Sequence, residues 1–144
     1  MNASVQPLET QSIGAARSIA KLVRDACLLE IRSLKPGNVG LHGDGHGMTA
    51  EHFVKSAHAM AEPLSVADIG LGERILHGVK ATQAVVDCNT NLSIVLLAAP
   101  LVQATWRNVA LSAKIPLRAS LQEVIQQSNQ QDATYAYEAI RLAN

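Results

Sequence analysis

Asp87-Cys88-Asn89-Thr90-Asn91 is followed directly by the apolar run from Leu92 to Val102, LSIVLLAAPLV. Asparagine and threonine are favoured at helix N-caps, because their side-chain oxygens accept hydrogen bonds from the free N–H groups of the first turn. The run behind them is apolar on every side, which is typical of a helix buried in a core. The stretch therefore predicts a polar helix start and a buried central helix.

Such a helix start has consequences for binding. Its free N–H groups and the positive end of its dipole favour an anion, and a phosphate group fits this position. Alternatively, the polar side chains cap only their own helix, as most caps do. The residues by themselves leave both interpretations open.

Composition narrows the classes of protein. A chain of 144 residues is expected to form a single domain with its own core. Its 12 basic and 12 acidic residues, with only 3 % aromatic residues, argue against a nucleic-acid-binding surface. Cys27 and Cys88 have neither disulfide-framework nor zinc spacing. We find no signal peptide, and the run from Leu92 to Val102 is too short to span a membrane. We therefore expect a cytoplasmic protein without membrane or nucleic-acid partners.

Apolar spacing elsewhere is helical throughout. After a frayed tail, Met1 to Thr10, apolar residues recur in steps of three and four from Ile13 to Ile31. Further helices are predicted from Thr49 to Ala61, which Pro63 ends, and from Glu73 to Val86. No stretch alternates like a strand.

The second half of the chain continues this pattern. The apolar helix extends to about Trp106, with a kink or break expected at Pro100. Ser120 begins a capping box and Asp132 caps a last helix. The sequence therefore predicts an all-α bundle of about six helices around a buried central helix.

A glycine-rich loop follows the first helix, which stops at Lys35-Pro36-Gly37. Between Gly40 and Gly47 it carries groups able to bind a metal or a phosphate: His42, Asp44 and His46. A solvated loop is the alternative interpretation. Glu30, near the C-terminal end of the preceding helix, opposes the helix dipole and is therefore expected to have another task.

Several of these motifs together resemble one family. They are Glu30, Lys35-Pro36-Gly37-Asn38-Val39, the His/Asp loop, the helix from Glu51-His52-Phe53 to Ala57, Asn89-Thr90-Asn91-Leu92, and the closing Ala136–Asn144. Their order and spacing resemble the triphosphoribosyl-dephospho-CoA synthase family, in its divergent branch. This resemblance implies an all-helical protein that joins ATP and dephospho-CoA with release of adenine. The product is the precursor of the prosthetic group of citrate lyase and malonate decarboxylase.

The resemblance also implies roles for particular residues. Catalytic residues would be Glu30, Asp44 and His46, with Glu30 and Asp44 also as metal ligands. Phosphate-binding residues would be Lys35, Asn89, Thr90 and Asn91. ATP would be a substrate, with Mg²⁺ bound to its triphosphate.

The resemblance covers nearly the whole chain but only roughly the first half of the family fold. This chain also has Gly47-Met48-Thr49 where the family usually has acidic residues, and Asn91 and Ser93 where histidine and glycine are common. We therefore expect a single domain, residues 1–144, that pairs with a second-half chain or forms a homodimer. A catalytically incomplete helical domain that binds a nucleotide or a partner chain remains the alternative to an enzyme.

Overall fold

The computed structural model describes residues 6–45, 47–112 and 114–144, and the described side chains begin at residue 12. The elements are six helices: α1 (Gln6–Arg32), α2 (Ala50–Leu64), α3 (Leu71–Gln83), α4 (Leu92–Leu111), α5 (Leu117–Gln126) and α6 (Gln130–Ala143). Within the described ranges no residue belongs to a strand, although two isolated bridges hold the loop between α1 and α2. The prediction of an all-α bundle of about six helices is confirmed.

The centre of the bundle is α3, which packs against α2, α4 and α6. Two glycines on α3 allow this close packing. A Cβ atom at Gly72 would lie 2.4 Å from backbone atoms of Asp132 in α6. A Cβ atom at Gly78 would lie 3.0 Å from the Leu64 side chain and 3.3 Å from that of Val95. Neighbouring helices therefore approach α3 closely on more than one side.

The predicted central position of α4 is wrong. One face of α4, including Val95, Ala99 and Trp106, is buried in the core. Leu97 on the outer side is 72 % exposed, and Leu101 is exposed as well. An apolar composition predicts that a helix can be surrounded, but the neighbours available in the fold decide whether it is.

A break at Pro100, one of the two predicted outcomes there, does not occur, and the predicted end of α4 near Trp106 is wrong. The helix is continuous through Pro100, since a proline removes one backbone hydrogen bond without necessarily ending the helix. The helix continues to Leu111, and its 20 residues, with a mean hydropathy of 1.4, are long and apolar enough to cross a bilayer. The core helix of a soluble protein meets the same criteria. The shorter predicted run was too short to span a membrane, whereas the observed length of α4 does not exclude a membrane-spanning helix.

Boundaries of the first three helices differ modestly from the predicted ones. α1 begins at Gln6, within the segment predicted as a frayed tail. α2 continues past Pro63 to Leu64, and α3 begins at Leu71 and ends at Gln83. Thr49 is the N-cap of α2 as predicted.

The last two helices begin before the residues that the capping patterns predicted as their N-caps. α5 begins at Leu117, so Ser120 lies inside the helix, where its hydroxyl donates to Oδ1 of Asn108 instead of forming a cap. The cap of α6 is Asn129, and Asp132 closes the capping box from the third helical position. A spacing pattern identifies a possible cap, but tertiary contacts can use the same side chain differently.

The buried Arg74 of α3 connects three elements. Its Nη1 donates to the backbone carbonyls of Leu64 and Val66, both at 2.7 Å, and its Nε donates to Oε1 of Gln103 in α4 at 3.0 Å. The carbonyls at a helix C-terminus carry partial negative charge, so the guanidinium stabilises the end of α2. Burial lowers the pKa of Arg74 to about 10, and the side chain is still charged at neutral pH.

Candidate functional site

The predicted site residues lie toward one end of the bundle. α2 and α3 are antiparallel, because Arg74 near the start of α3 binds Leu64 at the end of α2. α3 and α4 are antiparallel as well, since Gly78 in the second half of α3 meets Val95 in the first turn of α4. The start of α2, the end of α3 and the start of α4 therefore share one end. The loop of residues 33–49 connects the end of α1 to this region.

Glu30 and Lys35 form an ion pair at the end of α1. Their side chains are 32 % and 37 % exposed, respectively. The ammonium offsets the unfavourable position of the Glu30 carboxylate at a helix C-terminus. Lys35 also lines a cavity of about 340 Å³ together with His42 and Asp44. The structure thus brings Glu30, Lys35 and Asp44 into one region.

The loop around this cavity is fixed by its backbone. Leu41 N donates to the Ile31 carbonyl at 3.1 Å, and the Val39 side chain is buried. Gly37 has a φ of +80°, which favours glycine because other residues are strained there. His46, the third predicted catalytic residue, lies outside the described residues.

The start of α4 contains a buried polar group without a partner. Asn91 occupies the N-cap position as predicted, but its side chain makes no capping hydrogen bond. The residue is only 2 % exposed, and its Nδ2 has no hydrogen-bond partner among the described residues. Leaving a buried donor unpaired costs about 1–3 kcal/mol. Asn91 therefore does not serve its own helix in the way the capping interpretation requires.

Thr82 is a second unpaired group toward this end of the bundle. Its Oγ1 is buried and also lacks a partner among the described residues. Thr82 lies one turn after Gly78 on α3, and Asn91 lies one turn before Val95 at the start of α4, so antiparallel packing puts both toward the same end of the two helices. Among the described residues, two buried polar side chains without partners thus lie toward this end of the α3–α4 pair.

Thr90 is held by α2. Its hydroxyl lies 2.6 Å from that of Ser56, which itself donates to the His52 carbonyl at 2.8 Å. Because the single Ser56 proton is used there, Thr90 is the donor to Ser56. Thr90 therefore anchors the segment that leads into α4, and its hydroxyl proton is already used in the hydrogen bond to Ser56.

Asn89 is exposed, in contrast to Asn91. It lines a second cavity, of about 330 Å³, with Asp87, Cys88 and the last residues of α6. This cavity is distinct from the one that Lys35 and Asp44 line. The structure places both groups of predicted residues toward the same end of the bundle but on different cavities.

The described residues offer no cluster of three or more His, Cys, Asp or Glu side chains suited to a metal ion. Mg²⁺ commonly binds through one or two carboxylates plus substrate phosphates, so the exposed Asp44 carboxylate suits an ion that arrives with a nucleotide. Cys27 is not a candidate ligand or nucleophile, because burial raises the pKa of its thiol to about 11.

Sequence reasoning did not identify two residues of this region. Ser56 and Thr82 both lie on the buried faces of helices. A hydroxyl among apolar positions of an amphipathic helix is the available signal, since such a group needs a partner when buried. This pattern does not predict which group forms a hydrogen bond with the buried hydroxyl.

Comparison with known proteins gives the family. A family model described as ATP:dephospho-CoA triphosphoribosyl transferase matches residues 16–144. No curated protein and no solved structure matches the chain. The match extends from α1 to the last residue and includes every predicted site residue. The chain therefore belongs to the CitG family of ATP:dephospho-CoA triphosphoribosyl transferases.

Proposed function

We propose that this chain transfers the triphosphoribosyl group of ATP to dephospho-CoA, with the start of α4 as its triphosphate-binding site. The observation that carries the proposal is the buried, unpaired Nδ2 of Asn91 at a helix N-terminus. A phosphate oxygen would accept from Nδ2 and from the free N–H groups of the first turn. The family assignment supplies the substrates.

The other predicted phosphate-binding residues differ in how directly they would contact the triphosphate. Asn89 is exposed beside Asn91 and would donate to an outer phosphate. Lys35 would approach the triphosphate from the loop side as a point charge. Thr90 would hold the chain in place through Ser56, and would contact phosphate only by giving up that hydrogen bond.

The Glu30–Lys35 ion pair suggests how binding prepares the chemistry. A triphosphate that draws Lys35 away would leave the Glu30 carboxylate without its partner. Glu30 would then be free to accept the proton of the attacking acceptor hydroxyl. Asp44 and His46 remain the alternative bases. Mg²⁺, held by the phosphates together with Asp44 or Glu30, would neutralise part of the triphosphate charge.

The proposed reaction is a ribosyl transfer. The bond between the ribose C1′ and the adenine nitrogen breaks, and a bond from C1′ to the acceptor oxygen forms. The acceptor proton passes to the carboxylate and from there to solvent, and the adenine nitrogen takes a proton from solvent as adenine leaves. A carboxylate close to the ribose would also stabilise an oxocarbenium-like centre.

A direct assay separates this enzyme from a nucleotide-binding domain. Wild-type chain incubated with ATP, dephospho-CoA and Mg²⁺ is expected to release adenine, detected by chromatography. Glu30→Gln is expected to slow release by about 100-fold or more, because a general base contributes that much. Glu62→Gln, which changes an exposed carboxylate on α2, is the control and should retain the wild-type rate.

Two outcomes would count against the proposal. Adenine release that Glu30→Gln leaves unchanged would remove Glu30 from the mechanism. ATP binding without any adenine release would favour the alternative, a catalytically incomplete domain that binds the nucleotide.

We also propose that this single domain, which corresponds to the first part of the family fold, forms a homodimer in the cytoplasm. The outer face of α4 supports this, because Leu97 and Leu101 are exposed. Burial of leucine side chains between two copies would stabilise a two-fold dimer. A second-half chain is the other possible cover for this face.

Light scattering at micromolar concentration tests the dimer. The wild-type chain is expected to show twice the mass of 15.3 kDa, and Leu97→Lys to show the monomer mass. Leu34→Lys, which changes a leucine 78 % exposed outside α4, is the control and should remain dimeric. A monomeric wild-type chain, or a Leu97→Lys dimer, would contradict this interface.

A further inference from the structure

A cavity of about 320 Å³ lies at the opposite end of the bundle from the candidate site. It is bounded by the segment before α3, the second half of α4, the end of α5 and the turn into α6, and its lining includes Gln103, Trp106 and Arg107. We call it the distal cavity. It shares no residue with the proposed triphosphate site, so its occupant is not explained by the transferase reaction.

Arg107 lines this cavity and carries an unsatisfied donor. Its Nη2 forms an ion pair with Glu123, while its Nε is buried without a hydrogen-bond partner among the residues described. Arginine has only donors, so an acceptor atom is needed to satisfy Nε. A ligand oxygen in the cavity would supply it.

Gln103 adds a second donor. The Nε of the fully buried Arg74 donates to its Oε1. Because arginine cannot accept, this contact fixes which end of the Gln103 amide faces Arg74. The amide NH₂ group is then left for the other side, where Gln103 lines the cavity. Arg74 thus acts as a positioning residue for a donor group.

Two carboxylates, those of Asp68 and Asp132, also line the cavity, and Glu123 is paired with the Arg107 guanidinium. Both oxygens of Asp132 are used, since Oδ1 accepts from Gly72 N at 2.8 Å and Oδ2 from Asn129 N at 3.0 Å. The rest of the wall includes the ring of Trp106 and the side chains of Leu71 and Val124. The cavity therefore combines hydrogen-bond donors and an apolar surface with one exposed carboxylate, that of Asp68.

We propose that the distal cavity binds a small anion, whose carboxylate or phosphate oxygens accept from Arg107 Nε and the Gln103 amide. An apolar or aromatic body attached to the anionic group would pack against Trp106 and its apolar neighbours. This is a second ligand site, independent of the triphosphate site.

Trp106 is the only tryptophan of the chain and lines the cavity, so its fluorescence reports binding there. We expect a saturable change when the full chain is titrated with benzoate or with inorganic phosphate, at constant ionic strength. A response to benzoate alone identifies a carboxylate ligand, and a response to phosphate alone identifies a phosphate ligand. Either response supports the proposed oxyanion site.

Matched variants then locate the site. Gln103→Glu keeps the side-chain shape and a partner for Arg74 but replaces the donor with a carboxylate, and should weaken binding at least tenfold. Arg107→Gln should weaken it similarly. Arg118→Gln removes one exposed charge of α5 outside the cavity and should bind as wild type does. No saturable response to either probe, or unchanged affinity in both cavity variants, would overturn the proposal.

Discussion

Gly72→Ala is expected to destabilise the chain by about 3 kcal/mol or more, because it forces α3 and α6 apart. The added Cβ would lie 2.4 Å from both Cα and the carbonyl oxygen of Asp132, a distance at which something must shift. The obstacle is backbone, so no side-chain rotation relieves it. The shift also threatens the hydrogen bond from Gly72 N to Asp132, which joins the two helices.

Gly14→Ala is the matched control. Gly14 lies in the helix α1, and a Cβ there would meet nothing within 4 Å. Alanine should therefore stabilise the helix by about 0.5–1 kcal/mol relative to glycine. Thermal unfolding of both variants tests the packing. A Gly72→Ala chain that melts at or above the wild-type temperature would contradict the close contact of α3 and α6.

The helical class and the family could be predicted from the sequence because both rest on local signals. Apolar residues in steps of three and four identify α1, and the order of short motifs identifies the family. Helix positions could not be predicted in the same way. α4 has the most apolar sequence yet exposes Leu97, while the mixed sequence of α3 occupies the centre. Which helix becomes central depends on contacts between elements distant in the sequence.

Individual polar residues show the same limit. Asp132 has the sequence features of an N-cap, but its carboxylate accepts from Gly72, 60 residues away in the chain. Ser120 completes a capping-box pattern and instead binds Asn108. Capping signals indicate that a helix lies nearby, and tertiary hydrogen bonds decide what each side chain does.

The sequence indicated which residues are candidates for the site, but not whether their side chains are buried, hydrogen-bonded or ion-paired. Asn91 stands out in the sequence as a polar residue before an apolar helix. Its burial, its missing capping bond and its unpaired Nδ2 are known only from the fold. The Glu30–Lys35 ion pair likewise depends on how the chain turns at the end of α1.

Asn91→Leu is expected to separate stability from binding. In the absence of ligand, replacing an unpaired buried amide by an apolar side chain of similar size should raise stability by about 1–3 kcal/mol. The same change removes the proposed phosphate donor. ATP at about 100 times its dissociation constant should stabilise the wild-type chain by roughly 2.7 kcal/mol and the variant by nothing.

Asn108→Leu is the matched control. The Asn108 side chain is fully engaged, since its Nδ2 donates to the Ile115 carbonyl at 2.9 Å and its Oδ1 accepts from Ser120. Removing it leaves both partners unpaired, so this variant should lose stability. It lies outside the proposed triphosphate site and should keep the full stabilisation by ATP.

The most direct test of the proposed triphosphate site is the melting temperature of Asn91→Leu, measured with and without ATP and Mg²⁺ beside the wild-type chain. We predict a melting temperature above that of the wild type without ATP, and no further rise when ATP is added. A lower melting temperature without ATP, together with a rise on ATP addition equal to that of the wild type, would contradict the assignment of Asn91 to phosphate binding.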